Sequence, residues 1–159
     1  MQHIVPLSSY PGASASLFEM NDLAEAYLVA VDKLLQSDSG GNPLASAPVR
    51  LLSIHAIELY LNMFLITAGQ SATMIRGFQH DLEKRSRLAI DLGLVLRKRT
   101  EVHLLSLSSG REYLTSRYGP ECASSWSQLN ALIATMKEVS EKVHPVVVAE
   151  IERKFAART

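Results

Sequence analysis

From Pro48 to Gly69 the chain reads PVRLLSIHAIELYLNMFLITAG, a run that is apolar on nearly every face when wound as a helix. A helix with one apolar stripe lies on a surface, whereas one that is apolar all round must be enclosed by others. The run therefore demands a fold in which several helices surround a central one. Pro48 suits the first helical turn, where its missing N–H costs nothing, and Gly69 marks the end. His55, Glu58 and Asn62 interrupt the run, so it does not read as the roughly 20 uncharged residues of a bilayer span. At 159 residues one core can bury most of the apolar surface. With 47% apolar and 20% charged residues the chain is composed for folding rather than disorder.

The remaining segments supply the surrounding helices. Residues 1–15, rich in Ser, Pro, Gly and Ala, read as an irregular arm before a single domain spanning 16–159. Ser16 followed by Glu19 matches a capping box, and Met20, Leu23, Tyr27, Ala30, Val31 and Leu34 keep helical spacing after it. The run from Ser37 to Pro48 breaks that helix and reads as a loop. A third helix is expected over about 80–92, stopped by Gly93. A fourth is expected over about 98–118, with a bend near Gly110 and a stop at Gly119–Pro120. In the last helix Cys122, Trp126, Leu129, Ile133, Met136, Ser140, Val143 and Val147 recur at steps of four and three, a heptad seam suited to the core or a dimer interface. Pro145 predicts a kink or break beside His144. The short VVV after Pro145 is assigned to helix, and no repeat of 20 to 50 residues is present. The expected fold is all-α, an up-and-down antiparallel bundle of about five helices.

The net charge is zero but unevenly placed: residues 1–75 carry −4 and residues 76–117 carry +4. Such a split is either an anion-binding face or one half of the bundle neutralising the other. The stretch IRGFQHDLEKRSR from Ile75 concentrates this charge. Asp81 and Glu83 fall in a first helical turn, where negative charge is stabilising, and His80 suits a cap. Lys84, Arg85 and Arg87 are expected on or beside the solvent side. The functional alternative is a phosphate pocket built from Arg76, His80 and the helix N-terminus. Glu58, with apolar neighbours at helical spacing, is expected to be partly buried and to need a partner, with His80, Arg111 and Arg117 the candidates.

Three segments, AIELYLNMFLITAG, GFQHDLEKRSRLAIDLGL and GREYLTSRYGP, resemble in order and spacing the HEPN superfamily of small helical-bundle proteins. The resemblance covers roughly residues 16–145. It implies an up-and-down bundle, frequent homodimers, and functions from RNA cleavage in toxin systems to non-catalytic nucleotide or RNA binding. It also implies a nucleotidyltransferase-like protein as a possible cognate partner. Catalytic members carry an arginine, four to six residues and then a histidine on a late helix. Here no arginine stands at that distance before His144, whereas Arg97 and His103 have five residues between them.

The expected function is a non-catalytic HEPN-like binding module for a nucleotide, an RNA or a protein partner. Glu58, Arg76, His80, Asp81, Arg111, Arg117 and Tyr118 are the candidate ligand-binding residues. The alternatives are a metal-independent ribonuclease, with Arg97, Arg99 and His103 as its catalytic candidates, and a purely structural homodimer. In the ribonuclease reading the histidine would move a proton while an arginine stabilised charge on phosphorus. No metal or cofactor is expected, because the Glu-x-x-His order occurs only at Glu141 and His144 and further inward glutamates are missing. The single Cys122 precludes an internal disulfide, and the opening residues lack the pattern of a secretory signal. A cytoplasmic location is expected.

Overall fold

The computed structural model describes residues 10–37 and 41–158. Met1–Ser9, which make up most of the expected arm, and residues 38–40 of the expected loop lie outside the described residues. Those described form seven α-helices and two 3-10 segments, and no strand occurs among them. Helix α1 (Leu17–Leu35) starts at the expected capping box: the Glu19 backbone N–H donates to the Ser16 hydroxyl, and Glu19 Oε2 accepts from the Ser16 N–H at 2.8 Å. A 3-10 turn, Pro43–Ser46, leads into α2 (Ala47–Thr67).

Helix α2 is the centre of the molecule. Thirteen of its 21 residues are buried, among them Ile57, Leu61, Met63 and Leu65 with no exposure. Helices α1 and α7 (Leu129–Ala156) form its main walls, and α4 (Leu82–Asp91) and α6 (Glu112–Tyr118) close other sides. By length and composition alone Pro43–Thr67 could cross a membrane, which the reading of its interruptions did not allow for. Here 67% of its apolar window is covered by the other helices, as befits the core helix of a bundle.

The number of α-helices among the described residues exceeds the expected five because one expected span is divided in two and one unexpected helix is added. After Gly69 (φ 89°) a short helix, α3 (Ala72–Gly77), is capped by Ser71, where no element was expected. Helix α4 begins at Leu82, not at 80. Asp81 is its N-cap, accepting from the Lys84 N–H at 3.0 Å, so His80 stays outside the helix instead of capping it. The span 98–118 is two helices, α5 (Lys98–Ser109) and α6, divided at Gly110 and Arg111. Arg111 takes a left-handed φ of 51°, so the expected bend is a break that redirects the chain.

Helix α7 runs through Pro145 without a break. Cys122 and Trp126 fall outside it, in and just after the 3-10 segment Pro120–Ser125. The rest of the seam turns inward: Met136, Ser140, Val143 and Val147 are buried within this one chain, together with Leu132 and Val139. The seam is therefore core, and no part of it from Met136 to Val147 is left as a dimer surface. Truncation at the centre should be costly: Leu61→Ala is expected to lose about 2–5 kcal/mol in urea unfolding. Val102→Ala, at a site 54% exposed, should stay within about 0.5 kcal/mol of the parent.

Candidate functional site

Glu58 stands near the middle of α2, only 9% exposed, where an ionised carboxylate needs compensation. It receives two partners. His80 Nδ1 lies 3.1 Å from Oε2, and the guanidinium of Arg85 lies 3.5 Å from Oε1. His80 is one of the three expected candidates. Arg85 is not: the expectation placed it on or beside the solvent side, yet it is 2% exposed. Neither Arg111 nor Arg117 pairs with Glu58.

Arg85 is buried because its fork of N–H donors is used on several sides. Nε donates to Asn62 Oδ1 at 2.7 Å, Nη1 to the Asp81 carbonyl at 3.3 Å, and Nη2 to the Ile75 carbonyl at 3.5 Å. Its guanidinium also stands 5.9 Å from the centre of the Phe78 ring. Arg85 thus ties the turn between α3 and α4 down onto α2. That turn includes Gln79 with φ 50°, and it presents His80 beside Tyr113 of α6, with ring centres 5.1 Å apart. Burial shifts the ordinary pKa of Arg85 downward against the upward pull of Glu58 and Asp81.

Above this buried pair lies a polar groove of about 420 Å³, lined by His80, Asp81, Lys84, Ser108, Arg111 and Tyr113 with the 77–79 turn. Its two sides come from the α3–α4 turn and the α5–α6 break, and each contains a left-handed non-glycine residue, Gln79 and Arg111. Such backbone departures concentrate where a fold shapes a site. Asp81 spans the groove, because Ser108 donates to the same Oδ1 that caps α4, at 3.0 Å. Burial pushes the Asp81 carboxyl pKa up, but the Lys84 N–H, the Ser108 hydroxyl and the Lys84 ammonium outweigh it and hold it below the usual range. Lys84 Nζ is 3.6 Å from Asp81 and its side chain is 66% exposed, leaving it free to meet a ligand. Arg111 is exposed and makes no ion pair among the described residues.

The other candidates lie elsewhere. Arg76 donates to Thr73 Oγ1 and stacks on Tyr10, lining a different cavity. Arg117 lies near enough to His55 to oppose its protonation. Burial is the main cause that lowers the His55 pKa, and Arg117 and His80 add to it while Glu58 opposes. Tyr118 is 76% exposed and outside the groove. Of the ribonuclease candidates, Arg97 is held by Glu138, with Nε at 2.9 Å and the backbone N–H at 2.7 Å from its carboxylate, while Arg99 is exposed. His103 Nδ1 instead faces Thr135 Oγ1 at 2.7 Å, and its Nε2 is buried. No hydrogen bond or ion pair joins either arginine to His103 among the described residues. Burial lowers the His103 pKa, with Glu112 opposing and Arg50 assisting.

Arg50 and Glu112 form a second buried ion pair, 2.7 Å long, that the sequence reasoning missed. Glu112 also accepts from the Ser127 N–H and hydroxyl, and Arg50 stands 5.3 Å from the Trp126 ring centre. An arginine one turn inside an apolar helix was the available signal. No metal-binding group of three or more His, Cys, Asp or Glu residues occurs among the described residues.

No family model, curated protein or solved structure matches this chain. The functional reading therefore rests on the site. Removing one partner of the Glu58 pair should expose its importance: Arg85→Met is expected to cost about 3–5 kcal/mol in urea unfolding by leaving a buried carboxylate with His80 as its remaining partner. Adding Glu58→Gln to that variant should recover a large part of the loss, and equal stability of the single and double variants would refute the pairing.

Proposed function

We propose that this protein is a non-catalytic HEPN-like helical module that binds the phosphate of a nucleotide or RNA in the groove between the α3–α4 turn and the α5–α6 break. The observation that carries the reading is the convergence there of His80, Lys84 and Arg111 from separate elements, with Ser108 as a further hydrogen-bonding group. Lys84 and Arg111 supply positive charge beside a turn held rigid by Arg85. Charge-assisted hydrogen bonds to phosphate are the strong ones, and arginine adds a bidentate geometry. The His80 and Tyr113 rings give the groove an aromatic side against which a base or ribose can pack.

The order and spacing of the three motifs support the family assignment, and with it an up-and-down arrangement of the long helices and a homodimer, while the single Cys122 supports a cytoplasmic setting. A homodimer in this reading uses a face other than the buried seam of α7. The ribonuclease alternative draws less support, because Arg97 is engaged by Glu138 and His103 by Thr135.

Titration with AMP, ATP and a short single-stranded RNA at low salt tests the reading. Lys84→Gln combined with Arg111→Asn removes both basic side chains that line the groove, and asparagine tolerates the left-handed backbone at 111. Binding is expected to the parent protein, weakened at least about tenfold in the double variant, since each hydrogen bond to a charged group contributes about 1.5–3 kcal/mol. RNA affinity should also fall steeply with salt. An absence of binding by the parent, or equal affinity in both proteins, would contradict the proposal.

A further inference from the structure

A second cavity, of about 800 Å³, lies on the opposite side of Asn62 from Arg85, between α1, α2, α3 and residues 10–15 of the arm. One stripe of α2 forms its floor: His55, Leu59, Asn62 and Ile66, at helical steps of four, three and four. From His55 to Ile66 this floor runs roughly 16 Å along the helix. Met20 and Leu23 of α1 and Ile75 of α3 supply apolar walls. The arm roofs the space, and Tyr10 is latched to Arg76 by a cation–π contact of 4.9 Å. A space of several hundred Å³ with mostly apolar walls and a few placed polar groups has the form of a small-molecule site.

Those polar groups present donors. Asn62 Oδ1 is taken by Arg85 Nε, which fixes the amide and leaves its NH₂ for the cavity. Arg76 donates from Nη2 to Thr73 at 3.2 Å and has no carboxylate partner among the described residues, so N–H groups and a full positive charge remain at the rim. The ring of His55 packs edge-on against Tyr27 at 4.7 Å, and burial lowers its pKa, which disfavours the charged form. The one acidic side chain on the wall, Glu19, is engaged at Ser16. An elongated apolar body and an anionic head are what this combination accommodates.

We infer that this cavity binds a medium-chain carboxylate amphiphile, its alkyl chain along the α2 stripe and its carboxylate on Arg76. The site is separate from the polar groove and does not depend on the function assigned there.

Calorimetric titration of the full chain with decanoate and with decanol, which shares the alkyl chain but lacks the charge, tests the inference. Decanoate is expected to bind the parent protein and decanol to bind more weakly. Arg76→Gln should weaken decanoate about tenfold more than it weakens decanol, since both ligands lose the Tyr10 latch but only decanoate loses a charge-assisted contact. Ala13→Trp places bulk on the exposed arm, where no core packing is disturbed, and should abolish binding of both. Failure of the parent to bind decanoate would overturn the site. Decanol binding as tightly as decanoate, or decanoate binding undiminished in both variants, would overturn it equally.

Discussion

A carboxylate in the middle of the most enclosed helix sets the terms for much of this molecule. Glu58 is tolerable there only because Arg85 and His80 reach it from a neighbouring element. An arginine carried inward to meet it would itself be stranded without further acceptors. Arg85 finds them on Asn62 and on the carbonyls of Ile75 and Asp81. One ion pair therefore fixes the path of the chain from α3 into α4 and the place at which His80 emerges. Buried pairs of this kind contribute little net stability compared with apolar substitutes, but losing one partner is costly. Their value here is positional: the groove has its shape because the turn has no other seat.

The second buried pair plays a matching part across the molecule. Arg50 and Glu112 join the start of α2 to the start of α6, and Glu112 also gathers in Ser127 ahead of α7. With Glu112 drawn inward, the chain reverses at Gly110 and Arg111, and Arg111 is left facing the groove in a left-handed conformation. The two sides of the groove are thus each anchored from beneath by a buried salt bridge.

Much of this fold was legible because it follows from patterns of one dimension. The all-round apolar run announced α2, the Ser16–Glu19 pair announced the start of α1, and the burial of Glu58 followed from helical spacing, which left His80 as one of three candidate partners. What escaped was decided by contacts between distant segments. Arg85 looked like one of several solvated cations, since nothing local distinguishes it from Lys84 or Arg87. The break at Arg111 depends on Arg50, 61 positions earlier in the chain, through Glu112. Pro145 was expected to disturb α7, but a helix that buries Val143 and Val147 at the centre of the bundle continues past one missing N–H. At the site, Glu58, His80, Asp81 and Arg111 come together, whereas Arg76, Arg117 and Tyr118 belong to other surfaces.

The central claim is that the groove anchored by Glu58 and Arg85 is where an anionic ligand is held. Backbone amide chemical-shift mapping during titration with AMP tests it most directly. Saturable shifts are expected in residues 77–84 and 108–113, on both sides of the groove. Shifts centred on residues 97–103 at the start of α5, or scattered without a focus over the basic surface, would contradict it.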